Sequence, residues 1–216
     1  MEPPEMRPTQ AIREERLTKR ILPSFKLPHV HWIKAVHLPT GTIAGVAGWQ
    51  GPVSWLPNVL NHASAADFYG WKGGVWTQEE FDEMWAGTDI GAWDGSMKKG
   101  DDVRREILAG EKHWYLAPLF TWPEWQGKGV GKRLLDWAIE QADATEPVTP
   151  MYLESAPYAR AVYMHVGFKP VGDSNFLRRG PAIVKGLEAD EEVETKTADE
   201  KVAVVVDQVE TSNEVV

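Results

Sequence analysis

The sequence of 216 residues predicts an α/β (α+β) fold built on one mixed sheet. Three observations carry that prediction. The run His113–Thr121 has strand length and is rich in aromatic residues. Beyond a glycine-rich stretch, Val130, Leu134, Leu135, Ala138, Ile139 and Ala142 recur at helical spacing on one face. Earlier in the chain, Val30–Leu38 and Thr42–Trp49 read as two strands joined by the turn Pro39-Thr40-Gly41. A hairpin therefore stands beside a strand–helix–strand unit, without strict alternation of strands and helices.

Met1–Pro8 reads as disordered, and Thr9 caps a short helix over Gln10–Ile21 that ends before Pro23. After the hairpin, residues 50–75 have no period, because Pro52, Pro57, Gly70, Gly73 and Gly74 break it. They are nonetheless too apolar for a solvated linker, with Trp55, Leu56, Val59, Leu60, Phe68, Tyr69 and Trp71, and read as a functional loop or a packed cover. Thr77-Gln78-Glu79-Glu80 is a capping box that opens a helix to about Trp85. A second helix is expected over Lys98–Leu108, stopped by Gly110. After the central strand, loop and helix come a short strand, Met151–Glu154, and a helix that Gly167 closes. Further strands are expected from Phe168 and within Asn175–Leu187.

Charge divides the chain. Glu188–Val216 holds ten acidic and two basic residues, so the rest is near neutral although the whole is −9. Residues 9–187 are read as one folded domain and 188–216 as an acidic disordered tail, in which Val202–Val206 alone has strand propensity. The near-neutral body argues against a nucleic-acid partner. No apolar run reaches membrane-span length and no signal core opens the chain, so no membrane partner is expected and the expected location is the cytoplasm, with the nucleus not excluded. With no cysteine, the chain forms no disulfide and uses no thiol nucleophile. The six histidines show no metal-ligand spacing, and no metal site is expected.

The segment Gln126-Gly127-Lys128-Gly129-Val130-Gly131-Lys132 joins the central strand to its helix. Alternate glycines permit a tight turn without side chains in the way. The bare N–H groups of the first helical turn then suit an anion, phosphate above all. It is not a Walker A loop, since the position five before Gly131 is Gln126 and the residue after Lys132 is Arg133, with no hydroxyl for Mg²⁺. Nor does it have the glycine spacing of the dinucleotide fingerprint. A glycine-rich connection without ligand is the plain alternative.

The pattern from Gln126 to Gly131 resembles the acetyl-CoA loop of the GNAT superfamily of N-acetyltransferases. Trp114–Thr121 resembles that family's fourth strand, Tyr152-Leu153-Glu154-Ser155 its fifth, and Ala161–Phe168 its closing motif, a Tyr followed four and five residues later by Gly-Phe. The resemblance spans roughly residues 32–171 and is nearest in style to fungal members. It implies a twisted, mostly antiparallel sheet whose two central strands splay into a V that holds acetyl-CoA. It implies direct acetyl transfer to a primary amine of a small molecule or peptide. The family's first strand and first helix, which shape part of the acceptor pocket, have no counterpart before Val30. Val30–Leu38 is therefore expected as an uncovered sheet edge, unless a strand such as Val202–Val206 pairs with it. The alternative reading is a catalytically impaired remnant that binds a ligand or partner. A homodimer is the one association entertained.

The resemblance also places roles. Backbone amides from Gln126, Gly127, Lys128, Gly129, Val130, Gly131 and Lys132 would hold the pyrophosphate, with Lys128, Lys132 or Arg133 adding charge. N–H groups near Leu119, Phe120 and Thr121 would face the thioester carbonyl, freed by a bulge that Pro118 favours because it has no N–H to donate. Tyr163 corresponds to the family's general acid; packing on the core face is its plain alternative. Glu154 and Glu124 are the candidate bases, and Ser155 either bonds the pantetheine arm or caps a helix. The aromatic stretch Trp49–Trp85 is expected to shape the acceptor pocket.

Overall fold

The computed structural model describes residues 7–59, 63–181 and 202–206. The chain forms two compact units. Among the described residues, one comprises those up to Val30 with Trp55–Gly110; the other comprises His31–Ser54 and those from Glu111 on. The disorder expected of Met1–Pro8 and of the acidic tail falls on residues largely outside those described, Val202–Val206 excepted.

The first unit is helical. Helix α1, Gln10–Ile21, starts where Thr9 Oγ1 accepts the Ile12 N–H. A short α2, Ala65–Phe68, precedes α3, Gln78–Trp85, whose capping box is formed by Thr77 and Glu80. Helix α4 runs over Ile90–Leu108 and so begins eight residues before the Lys98 start expected from sequence. Its true cap is Asp89, which accepts from the Ala92 N–H, and the helix tolerates Gly91 and Gly95 in its first turns. The irregular segment before α2 is held by carboxylates of α4. Asp94 accepts from the amides of Ala63 and Ser64 at 2.7 and 2.9 Å, and Asp101 from that of Asn58. Arg104, 1% exposed, bonds the Leu56 carbonyl and Asp101. A chain of ring contacts links Phe68, Tyr69, Trp71, Trp76, Phe81, Trp85 and Trp93, which accounts for much of the aromatic content of this region.

The second unit is a seven-stranded sheet: β1 Val30–His37, β2 Thr42–Val53, β3 His113–Thr121, β4 Met151–Glu154, β5 Lys169–Pro170, β6 Asn175–Arg178 and β7 Val202–Val206. The spatial order is β5-β6-β4-β3-β2-β1-β7. The β3–β4 pair is parallel; β7 on β1, β2 on β3, β4 on β6 and β5 on β6 are antiparallel. This is the mixed, mostly antiparallel α+β sheet that the sequence predicts.

Helix α5, Val130–Asp143, lays Val130, Leu134, Leu135, Ala138 and Ala142 on one face of the sheet. Trp49, fully buried, donates its Nε1–H to the Leu134 carbonyl at 3.2 Å and meets Trp114 edge-on. Helix α6, Arg160–His165, packs by Tyr163 against Phe168 and Phe176. Buried Arg178 of β6 closes the far end. It grips Asp143 of α5 with two bonds of 2.6 and 2.7 Å and donates to the Val166 carbonyl at 3.0 Å.

The sheet edge differs from the expectation. Among the described residues no strand precedes β1, yet β1 is not an open edge. β7 pairs with it from Ile33↔Val206 to His37↔Val202, and Val202 and Val204 join the core that α5 covers. Ending the chain after Pro181 removes β7 and the burial of Val202 and Val204. At about 1.5–3 kcal/mol for each fully buried valine, taken as an upper bound, the loss of stability is expected to be roughly 2–5 kcal/mol. Urea unfolding of the shortened chain measures this, and an unchanged midpoint would show that β7 contributes nothing.

Candidate active site

The site is organised by the point at which β3 and β4 part. The two strands are in register at Trp114↔Met151, Tyr115↔Tyr152 and Leu116↔Leu153, and no further. β3 continues five residues beyond its last paired position, whereas β4 stops at Glu154 and the Ser155 N–H turns to the Ser174 carbonyl at 2.7 Å.

Backbone parity explains what this exposes. The Trp114 N–H donates to the Pro150 carbonyl, so Trp114 and, two residues on, Leu116 direct their polar groups at β4. The Trp122 N–H instead donates to the Ala44 carbonyl of β2, so Phe120 also faces β2 while Leu119 and Thr121 face away from it. The two patterns are out of phase unless one extra residue lies between them. The register with β2 slips there, from Ala47↔Leu119 to Trp49↔Leu116, which places a bulge at Ala117-Pro118. Gly48 stands opposite: a Cβ on it would lie 2.8 Å from the Ala117 carbonyl oxygen and 3.2 Å from Pro118 Cδ. Of the three backbone donors expected near the bulge, Leu119 and Thr121 are directed into the gap and Phe120 is not.

The helix mouth adjoins this gap. After a 3-10 turn over Pro123–Trp125, Gly127 and Gly129 take φ of 70° and 75°, a left-handed conformation natural to glycine. Gly129 caps α5 without any side-chain hydrogen bond. The Arg133 N–H closes the first turn onto the Gly129 carbonyl at 3.1 Å, so the amides of Val130, Gly131 and Lys132 precede the first intrahelical bond. A Cβ on Gly131 would sit 3.7 Å from Thr121 Oγ1 and 3.9 Å from Leu119 Cδ2, so the helix start lies beside the open stretch of β3. The Gln126 side chain donates to the Thr121 carbonyl at 3.2 Å and ties the loop to the strand end. Lys128 lies 5.0 Å from the Trp125 ring, and Lys132 pairs with Asp136 at 2.7 Å along the helix.

The candidate proton carriers lie on opposite faces of the sheet. Met151 and Leu153 point to the α5 face and into the core, so Tyr152 and Glu154 point to the other. There Glu154 accepts a 2.9 Å hydrogen bond from the Tyr115 hydroxyl, and Tyr152 donates to Asn175 Oδ1 at 2.8 Å. Tyr163 belongs to the α5-side core. Burial, with a smaller contribution from Tyr158, raises its pKa above the ordinary 10.0. The phenol is therefore neutral at physiological pH, and its stabilising contribution is complete below the ordinary value, then is lost as pH rises from there through the raised one, because the unfolded chain ionises while the buried phenol keeps its proton. Ser155 is buried and its Oγ donates to the Ala156 carbonyl, so it caps no helix. Glu124 lies exposed in the 3-10 turn. Tyr115 was not singled out by sequence. Alternation along β3 separates it from Trp114, but its hydroxyl's partner depends on the β3–β4 register. Among the described residues no group of three or more His, Cys, Asp or Glu is placed to hold a metal. No helix there is long and apolar enough to cross a membrane.

Comparison with known proteins finds a family model that matches part of the chain. Residues 104–185 match the model of the Acetyltransferase (GNAT) domain, a stretch that runs from the end of α4 through β6 and includes α5 and α6. GNAT acetyltransferases use acetyl-CoA. No curated protein matches the chain. A solved structure described as histone acetyltransferase HPA2 and related acetyltransferase from Corynebacterium glutamicum is 18% identical, over 83% of this chain and 81% of that one, with a TM-score of 0.43. A second, described as an acetyltransferase, is 18% identical over 79% of this chain and 93% of that one, with a TM-score of 0.34.

The Gly129 turn gives a direct test. Gly129→Ala places a Cβ in a left-handed position at a cost of about 1–2 kcal/mol, borne where the helix amides are aimed. CoA binding by titration calorimetry is expected to weaken roughly tenfold, which corresponds to about 1.4 kcal/mol. Unchanged affinity would detach the turn from ligand binding.

Proposed function

We propose that this chain is an N-acetyltransferase that moves an acetyl group from acetyl-CoA directly to a primary amine of a small molecule or peptide. The observation that carries the reading is the coincidence of two features at one place. Strand β3 parts from β4 at a bulge that directs the Leu119 and Thr121 amides into the gap, and an uncapped helix mouth opens beside it. The matched GNAT domain spans both.

The residues fit the donor's chemistry. The amides of Val130, Gly131 and Lys132 would receive the pyrophosphate at the positive end of α5, with Gly127 and Gly129 leaving the approach clear. The Leu119 and Thr121 amides point where a carbonyl oxygen gains charge as an amine attacks. When bound, acetyl-CoA supplies an acyl group already activated as a thioester. Glu154 stands where β3 and β4 separate and is held by Tyr115. It is the base in this reading, taking the proton of an alkylammonium that is only about 0.04% neutral at pH 7. Tyr163 is the acid in this reading, donating to the departing thiolate from the α5 side. Base and acid on opposite faces let the amine arrive on one side and the thiol leave on the other. The alternative, an impaired remnant, rests on the lack of a counterpart to the family's first strand and helix before Val30; the β1 edge expected to be left open by it is covered by β7.

Thiol release from acetyl-CoA over a panel of primary amines tests the proposal, and absence of turnover with every amine would return the chain to a binding role. Given a turned-over amine, Tyr163→Phe is expected to slow kcat at least about tenfold and Glu154→Gln by about 100-fold, both with CoA affinity retained. Because its pKa is raised, Tyr163 should impose no alkaline limb on the rate below about pH 10. An unchanged rate in either variant removes that residue's role.

A further inference from the structure

The sheet face away from α5 has a mixed character around the gap. Leu119 packs on the α5-side core, so its neighbour Phe120 points the other way. Glu154, bonded to Tyr115, points to that same face. Phe120 on β3 and Glu154 at the end of β4 therefore flank the vacated space. Phe120 is 58% exposed and is the one exposed residue of β3. Val46 of β2 lies opposite it and is half-buried. Gly48 extends this apolar surface: a Cβ on it would lie 3.1 Å from Trp32 Cζ3 and 3.2 Å from Pro118 Cδ. Lys34 of β1 shares the face, since Ile33 and Ala35 on either side of it belong to the α5-side core.

We propose that the acceptor is a monoamine on an apolar body, an alkyl- or arylalkylamine, and that the Phe120 ring selects it; this deepens the acetyltransferase reading and rests on it. In that reading the amine reaches the thioester from the face that carries Glu154. Its ammonium group pairs with that carboxylate before giving up a proton. The carbon body then lies against what borders the gap on the β3 side, the Phe120 ring and Val46. An apolar body covers the exposed ring favourably, whereas a polar one leaves it wet. A diamine or a lysine-rich peptide brings a second positive charge to a face that already carries Lys34, and is disfavoured there. The transfer itself is unchanged: the N–C bond forms as the thioester C–S bond breaks. Of the two protons that the ammonium gives up, one ends on the CoA thiol by way of Tyr163 and one goes to solvent.

Amide chemical-shift titration of the full chain with CoA present tests this, with phenethylamine, ethylamine and 1,4-diaminobutane as probes. Phenethylamine is expected to bind at least about tenfold more tightly than 1,4-diaminobutane and to shift the resonances of Val46, Phe120 and Glu154. Phe120→Ala should weaken phenethylamine binding at least about threefold, as loss of one ring contact requires, and leave ethylamine within about twofold. Phe120→Tyr keeps the ring and should restore native binding. Because Phe120 is already exposed, neither substitution disturbs the core. The proposal is overturned if phenethylamine does not bind, binds no better than the diamine, or binds Phe120→Ala as well as the native chain. Thiol release from acetyl-CoA separates this inference from the reading it rests on. Ring-dependent binding without turnover supports Phe120 as the selecting surface and ends the acetyltransferase reading. Faster turnover of the diamine than of phenethylamine keeps that reading and overturns the acceptor class.

Discussion

The extra residue at Ala117-Pro118 is the constraint on which the site depends. A strand alternates its polar groups strictly, so a strand flanked on both sides by partners has no spare donors. β3 serves β4 with Trp114 and Leu116, then β2 with Phe120 and Trp122. Only a phase shift between them lets Leu119 and Thr121 face space that β4 has vacated. Proline is the residue that tolerates this position, because it brings no N–H to leave unpaired. Gly48 is its counterpart on β2, since any side chain there would collide with the bulged backbone.

The bulge and the helix mouth are coupled through short connections rather than through distant packing. Gln126 bonds the carbonyl of Thr121, the last residue of β3, and Gly131 approaches both Thr121 and Leu119. The strand's outward amides and the helix's outward amides are thus fixed with respect to each other by a loop of eight residues. Beneath them Trp49 and Trp114 meet edge-on, and the Trp49 indole holds the backbone of α5 at Leu134. Rigidity of this kind matters for a site made mostly of backbone, which has no side chains to readjust.

Much of this was legible in the sequence because it is written locally. The capping box at Thr77, the Thr9 cap, the glycines of the loop and the apolar face of α5 are read from neighbours in the chain, and their elements form where expected. The start of α4 was not, because Gly91 and Gly95 disguise a helix that Asp89 caps. Pairing across strands was legible only in part. Tyr115 and Glu154 are 39 residues apart, and their bond depends on a parallel register that no local pattern encodes. The same holds for β7: its propensity showed in the sequence, while its partner β1 lies 165 residues or more away along the chain.

β7 shows how one deficit can be met from elsewhere. The apolar residues Ile33 and Ala35 of β1 and the flank of α5 require a cover, and any strand of alternating or wholly apolar character can supply it, whichever end of the chain it comes from. A strand that is apolar on both faces covers the core with Val202 and Val204 but must also present Ala203 and Val205 to the opposite side. A polar residue at 203 or 205 would have served the covering role as well. At Val205 the β-branched side chain still favours the extended backbone, so the strand forms whichever face it covers.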